Sequence, residues 1–204
     1  MGILARLTVR QQQQKVREDA ILDATRVMLA KKGYDLMTVD EVAAEAGIAK
    51  ASLYKHFSSK ESLAAAVMIQ LLDQAIAFLE GLPPELSPVD KMRALLRWAL
   101  DLRLDGGLPL LPSTSSTLQA NLLGNRDYVK RILALNERMS DLVKSAQAQG
   151  VLDPDLPPDV VVFSLYARTC DPAVEYLQMS GRYTHQQVTE YLVKVAFAGL
   201  QGTR

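Results

Sequence analysis

Between Glu45 and Glu61 the chain carries Lys50, Lys55, His56 and Lys60 and not one acid. Cations at that density suit contacts to phosphate oxygens, since a sugar-phosphate backbone is read first by charge. His56 has no Cys, His or acid close to it in sequence, so a phosphate contact is favoured over metal ligation or base catalysis, with an inert surface histidine as the alternative. Taken without their setting, the three lysines equally describe an ordinary solvated face. Elsewhere the chemistry is sparse. His56 and His185 are the two histidines and Cys170 the one cysteine, which excludes an internal disulfide and leaves too few ligands for a structural zinc site. There is no G-x-S-x-G, phosphate loop, H-E-x-x-H or dinucleotide fingerprint. No catalytic residue, metal or cofactor is expected, and an enzyme is a distant reading.

The setting of the lysines carries more information than their charge. Thr38-Val39-Asp40-Glu41 reads as a capping box, in which the threonine hydroxyl and the glutamate carboxylate satisfy each other's backbone amides at a helix start. The helix it opens carries Val39, Val42, Ala43 and Ala46 inward and ends at Gly47, which can take the positive φ of a tight turn. Ile48 follows as a buried turn residue, and a second short helix spans about 49–57, with Leu53 and Phe57 as core and Tyr54 as either packing or contact. A second box, Ser58-Ser59-Lys60-Glu61, opens the next helix. Two short helices about a glycine turn are a helix-turn-helix, here over 38–57, whose second helix enters the major groove of DNA.

At 204 residues the chain can be one medium domain or a small domain fused to a larger one, and 49% hydrophobic residues suffice for a core. Its net charge of zero by itself argues against a nucleic-acid binder. The average conceals an asymmetry, because residues 1–60 hold ten basic and seven acidic side chains. Helical periodicity dominates and no period-two alternation appears, so the fold class is all-α with about nine helices. The expected helices cover about 12–32, ending with Gly33 in a left-handed stop, then 39–46, 49–57, 59–80, 87–104, 113–123, 126–149, 158–180 with a kink or break at Pro172, and 184–200. The longest apolar stretch is read at 160–167, well short of the roughly 20 residues of a membrane helix. With no secretory signal at the start, the expectation is a cytoplasmic protein without a membrane partner.

The segment GYDLMTVDEVAAEAGIAKASLYKHFSSKESL, from Gly33 to Leu63, resembles the N-terminal pattern of the TetR family of bacterial regulators nearly throughout. About a third of the chain carries the likeness, and the remainder shares only helix count and order. The resemblance implies a DNA-binding domain at 1–60 and an effector-binding and dimerisation domain at 61–204. It places Thr38, Ser52, Tyr54, His56 and Lys60 at phosphate-contacting positions, and Lys50 and Ala51 at positions that touch base edges. Lys50 would suit guanine O6 and N7, Ala51 a thymine methyl, and Lys55 either kind of contact. Two departures bear on base preference. Ala49 stands where the family caps the recognition helix with Ser or Thr, at a cost of about 1 kcal/mol. Asp40 puts an acid where some members carry a base-reading cation.

What the resemblance implies for the rest is a homodimeric repressor released from a double-stranded DNA operator by a small-molecule effector. An activator or a ligand-independent DNA-binding protein on the same scaffold is the alternative. Trp98, Tyr128, Phe163 and Tyr166 either line an effector pocket or are bundle core, with Leu102, Arg103, Thr117 and Cys170 as companions and Ser113, Arg168 and Thr169 as further polar candidates. Cys170 is favoured as a packed small hydrophobe over a sensor thiol. The expected dimer seam is the last two long helices, with the stripe Val188, Tyr191, Leu192, Val195, Ala198 and Gly199, unless that stripe packs internally.

Overall fold

The computed structural model describes residues 9–109 and 116–198. Among them are ten helices and no strand: α1 Val9–Leu36, α2 Val39–Glu45, α3 Lys50–Leu53, α4 Lys60–Glu80, α5 Pro88–Leu104, α6 Ser116–Leu123, α7 Arg126–Ala148, α8 Pro158–Arg168, α9 Ala173–Met179 and α10 His185–Ala198. The all-α expectation holds. The stretch 158–180, expected to kink or break at Pro172, breaks there into α8 and α9, because the turn running from Thr169 ends at Pro172, which becomes the N-cap of α9. Gly33 does not end α1 as a left-handed cap. Its φ of 73° and ψ of 171° break the helix inside the run, and one more turn follows to Leu36, held by Met37 N–H donating to the Gly33 carbonyl.

Two apolar clusters build the molecule. The first gathers Ile21 and Leu29 of α1, Met37, Val42 of α2, Leu53 of α3, Leu63 and Val67 of α4, and Leu118 and Leu122 of α6. The second gathers the inner faces of α5, α7, α8, α9 and α10 around Leu72, Ala75 and Leu79 of α4. Each fully buried leucine or isoleucine among these contributes about 1.5–3 kcal/mol relative to exposure. α4 is the element common to both clusters. It is long and apolar enough, by length and composition, to cross a bilayer, which corrects the reading of 160–167 as the chain's longest apolar segment. Its apolar character has a packing cause here, since α4 lies against α1, α5, α6 and α7.

Candidate nucleic-acid interface

Thr38 caps α2 as its sequence predicts: Glu41 N–H donates to Thr38 Oγ1 at 3.3 Å, and Thr38 N–H donates to Glu41 Oε2 at 3.1 Å. Lys32 of α1 also pairs with that carboxylate, and these donors, Lys32 foremost, hold the Glu41 carboxyl below its ordinary value. At the other end Gly47 takes φ 66°; its N–H donates to the Ala44 carbonyl at 3.1 Å, and Ile48 N–H donates to Ala43 at 3.0 Å. Those two bonds are the Schellman pattern, which requires the left-handed residue to sit where glycine stands. The turn aims α3 outward.

α3 is regular only over Lys50–Leu53 and continues as a looser turn through His56, where His56 N–H and Phe57 N–H both donate to the Leu53 carbonyl. Ala49 makes no side-chain cap bond. Leu53 is fully buried and Phe57, one turn on, packs on the same cluster. Lys50, Ala51, Tyr54 and Lys55 are exposed on the other side, and Ser52 is half-buried. The helix therefore separates a core face from a polar face by the 3.6-residue repeat.

The structure adds partners that no local sequence window shows. Lys50 Nζ donates to Asp40 Oδ2 at 2.9 Å, joining α3 to α2. His56 is not without an acid: its Nδ1 lies 3.1 Å from Glu18 Oε1 of α1, with the histidine side chain only 12% exposed. That pairing corrects the expectation of an unpartnered His56, and chain separation concealed it. Lys60 Nζ sits 4.5 Å from the centre of the Tyr34 ring and donates to the Asp35 carbonyl at 3.2 Å. The second capping box falls one residue later than its sequence suggests, with Ser59 as cap and Ser62 as its reciprocal partner. Glu61 is not the reciprocal partner of the cap and accepts from the Tyr34 hydroxyl at 2.9 Å, besides hydrogen bonds from its own N–H and Ser59; burial and this carboxylate push the Tyr34 phenol up to about 12. Thr38, Lys50, Ala51, Ser52, Tyr54, Lys55 and His56 belong to α2 and α3 or the segments that flank them, and Lys60 opens α4.

Away from this surface lies a cavity of about 130 Å³ between α4, α5, α7 and α8, with Leu108 and Pro109 at one side. Of the residues expected around a pocket, Trp98 and Tyr166 line it, as does Thr169. The others fall elsewhere for identifiable reasons. Leu102 packs against the first cluster, and Tyr128 touches both clusters. Arg103 donates to the Thr169 carbonyl at 2.6 Å and pairs with Glu175. Thr117 is exposed, and Phe163 is 58% exposed, meeting Tyr166 edge-on. Cys170 is half-buried beside Thr169, Arg168 pairs with Asp171, and Ser113 lies outside the described residues. Most of the wall comes from residues not singled out as pocket candidates, among them Met68, Leu71, Leu72 and Ala75 of α4 and Ile132, Leu135 and Met139 of α7. Their i, i+3 and i+4 spacing marks an inner face but not which neighbour it meets.

The stripe expected at a dimer seam divides. Val188 is fully buried and Leu192 packs on the second cluster, because α10 turns that side toward the body of the bundle. Tyr191 and Val195 are exposed, as are Val160, Phe163, Tyr176 and Met179 on α8 and α9. Ala198 is exposed, and Gly199 lies outside the described residues.

Comparison with known proteins bears on this geometry. Residues 21–67 match the model of the bacterial regulatory proteins of the tetR family. The chain is 25% identical over 186 residues to the HTH-type transcriptional repressor KstR2 of Mycolicibacterium smegmatis, covering 90% of each. It is 26% identical over 158 residues to the HTH-type transcriptional regulator RutR of Escherichia coli K12, covering 75% of this chain and 72% of that one. Its fold is similar to the solved structure of the ketosteroid transcriptional regulator KstR2 of Mycobacterium tuberculosis, with a TM-score of 0.67 at 21% identity, over 92% of this chain and 96% of the other.

Proposed function

Because this chain belongs to the TetR family and is a DNA-binding transcriptional regulator, we propose that it works as a homodimeric repressor that leaves its operator when a small molecule fills the inner cavity. One observation carries the reading: Met68, Leu71 and Leu108 belong at once to the cavity wall and to the apolar cluster that holds α1–α3. A void of this size accepts a single aromatic ring. A larger effector must push its wall apart, and part of that wall supports the DNA-reading unit. Close-packed interiors transmit such a displacement rather than absorb it. Filling the cavity then favours one head position over another, which is the differential affinity that coupling requires, typically 1–3 kcal/mol.

In this reading residues 1–60 read DNA and 61–204 bind effector and partner, although α6 lends Leu118 and Leu122 to the core of the head. Lys50 and Ala51 meet base edges, Thr38, Ser52, Tyr54, His56 and Lys60 meet phosphates, and Lys55 makes either kind of contact. One four-residue helix buries too little for specific affinity, so two protomers engage half-sites about 34 Å apart. The exposed apolar side chains of α8, α9 and α10 supply a seam, with Tyr191 and Val195 rather than Val188 facing outward. The protein acts in the cytosol, where the operator is. The apolar wall accords with an apolar effector.

The test has two parts. Sedimentation at micromolar concentration gives a dimer if the seam is right and a monomer if it is not. Operator affinity falls at least fivefold when a cavity-bound molecule saturates the protein; unchanged affinity at saturation overturns the release mechanism.

A further inference from the structure

We propose that the cavity takes an uncharged, largely apolar molecule bearing one hydrogen-bond acceptor, and that the Tyr166 hydroxyl donates to that acceptor. The inference rests on the reading of the cavity as the effector site and names the class of molecule it admits.

The wall is hydrocarbon and aromatic over almost all of its extent, with Leu72, Leu96, Trp98, Leu135, Met139 and Leu165 among its residues. Among the described residues of the wall, Tyr166 and Thr169 are the ones that carry side-chain oxygens. The Thr169 hydroxyl is committed, donating to the Tyr166 carbonyl at 2.7 Å. The Tyr166 hydroxyl is buried and has no hydrogen-bond partner. A buried donor left without an acceptor is costly and is rare in folded proteins, and such groups commonly answer to a ligand. Burial raises the Tyr166 phenol above its ordinary value, so the group is a neutral donor at any physiological pH.

The same wall excludes charge. Among the described residues it contains no Lys, Arg, His, Asp or Glu. Arg103 contacts the wall residue Thr169 but is not itself among the described wall residues; its terminal nitrogens are engaged by the Thr169 carbonyl and Glu175, and its Nε, buried without a partner, lies outside the wall. A carboxylate or ammonium placed in the cavity would be buried without a counter-charge, which proteins do not tolerate. Water is a poor occupant too, because an ordered buried water needs two to four polar partners and the described wall residues offer one free hydroxyl, that of Tyr166. A hydrophobic body with a ketone, ester or ether oxygen satisfies both the wall and the hydroxyl.

Three probes of nearly equal size separate the alternatives: acetophenone, which has one acceptor; α-methylstyrene, its hydrocarbon counterpart; and benzoate, an anion. Each is titrated into the full chain by calorimetry, with the fluorescence of Trp98, the one tryptophan and a wall residue, reporting occupancy of the cavity. Acetophenone is expected to bind about tenfold more tightly than α-methylstyrene, the effect of one well-made hydrogen bond, and benzoate more weakly than both. In Tyr166→Phe the advantage of acetophenone disappears while α-methylstyrene binds as before, and the variant melts at or above the wild-type temperature because an unsatisfied hydroxyl has been removed. Equal affinity for ketone and hydrocarbon in the wild type overturns the role of Tyr166. Tightest binding by benzoate overturns the uncharged class, and failure of all three to perturb Trp98 overturns the cavity as a site. These readouts are independent of DNA, so a failure of operator release leaves them standing and a failure here leaves release by another ligand to be judged separately.

Discussion

Lys50 and Asp40 are joined across the turn of the DNA-reading motif, with 2.9 Å between Nζ and Oδ2. The acid that stood out on α2 as a departure from a cationic position is the tether of the lysine at the start of α3, and its hydrogen bond holds the Lys50 ammonium protonated above its ordinary range. Both groups are well exposed, so the pair adds little to stability. Its consequence is geometric, because a lysine held from one side reaches a narrower set of base atoms than a free one.

Lys50→Ala is accordingly expected to cost about 1–3 kcal/mol at the preferred operator and to erase preference at the bases it touches. Asp40→Ala works in the opposite sense. It removes an acid from the surface proposed to meet DNA, so affinity for random DNA should rise by roughly threefold at low salt, while discrimination between matched and mismatched sites falls. The double variant shows no preference beyond that of Lys50→Ala alone. Titrations of matched and mismatched duplexes read all three.

Lys60 has a different task. Held over the Tyr34 ring and against the Asp35 carbonyl, it lies beside the motif rather than on the polar face of α3. Lys60→Ala should weaken binding to all duplexes alike and lower the slope of log affinity against log salt by about 1. A salt series on two unrelated duplexes distinguishes this from the Lys50 effect.

The Glu18–His56 contact makes the head acid-sensitive. The Glu18 carboxyl lies below its ordinary value chiefly because of its hydrogen bond with His56, helped by Gln14. A carboxyl depressed by folding binds protons less readily in the native state. Its contribution is therefore whole above the ordinary carboxylate range near about pH 4.3 and is lost as pH falls through the native value. Glu41, held down by Lys32 and Thr38, acts in the same direction. Thermal melts should show stability dropping below about pH 5, and Glu18→Gln should flatten that limb while lowering the melting temperature at neutral pH.

The turn offers two substitutions of opposite sign. Gly47 stands at φ 66°, so Gly47→Ala strains the backbone by roughly 1–2 kcal/mol and misdirects α3. Ala49 caps α3 without a side-chain bond, and Ala49→Ser can supply one to a free amide, for a gain of about 0.5–1 kcal/mol. Denaturant melts and operator affinity should fall together in the first, whereas the second should stabilise without loss of binding.

What could be read in the residues divides along the range of the interaction. The start of α2 and the Gly47 turn are legible because capping and Schellman bonds join residues no more than five apart. The second box was displaced by one position because Ser58 and Ser59 are equally good caps, and Tyr34, distant in sequence, draws Glu61 away. The partner of His56 stands 38 positions earlier and leaves no local signal. The cavity shows the same limit. Periodicity identifies inner faces of α4 and α7, but whether Leu102 turns to the cavity or to the head, and whether Val188 meets a partner or its own bundle, depends on how helices cross.

A paired helix-turn-helix that reads sequence is the proposed basis of function, and selection of bound fragments from random DNA tests it most directly. The predicted result is an inverted repeat whose half-sites lie about one helical turn or a multiple of it apart, with its base preference lost in Lys50→Ala. Recovery of fragments without any sequence preference would contradict it.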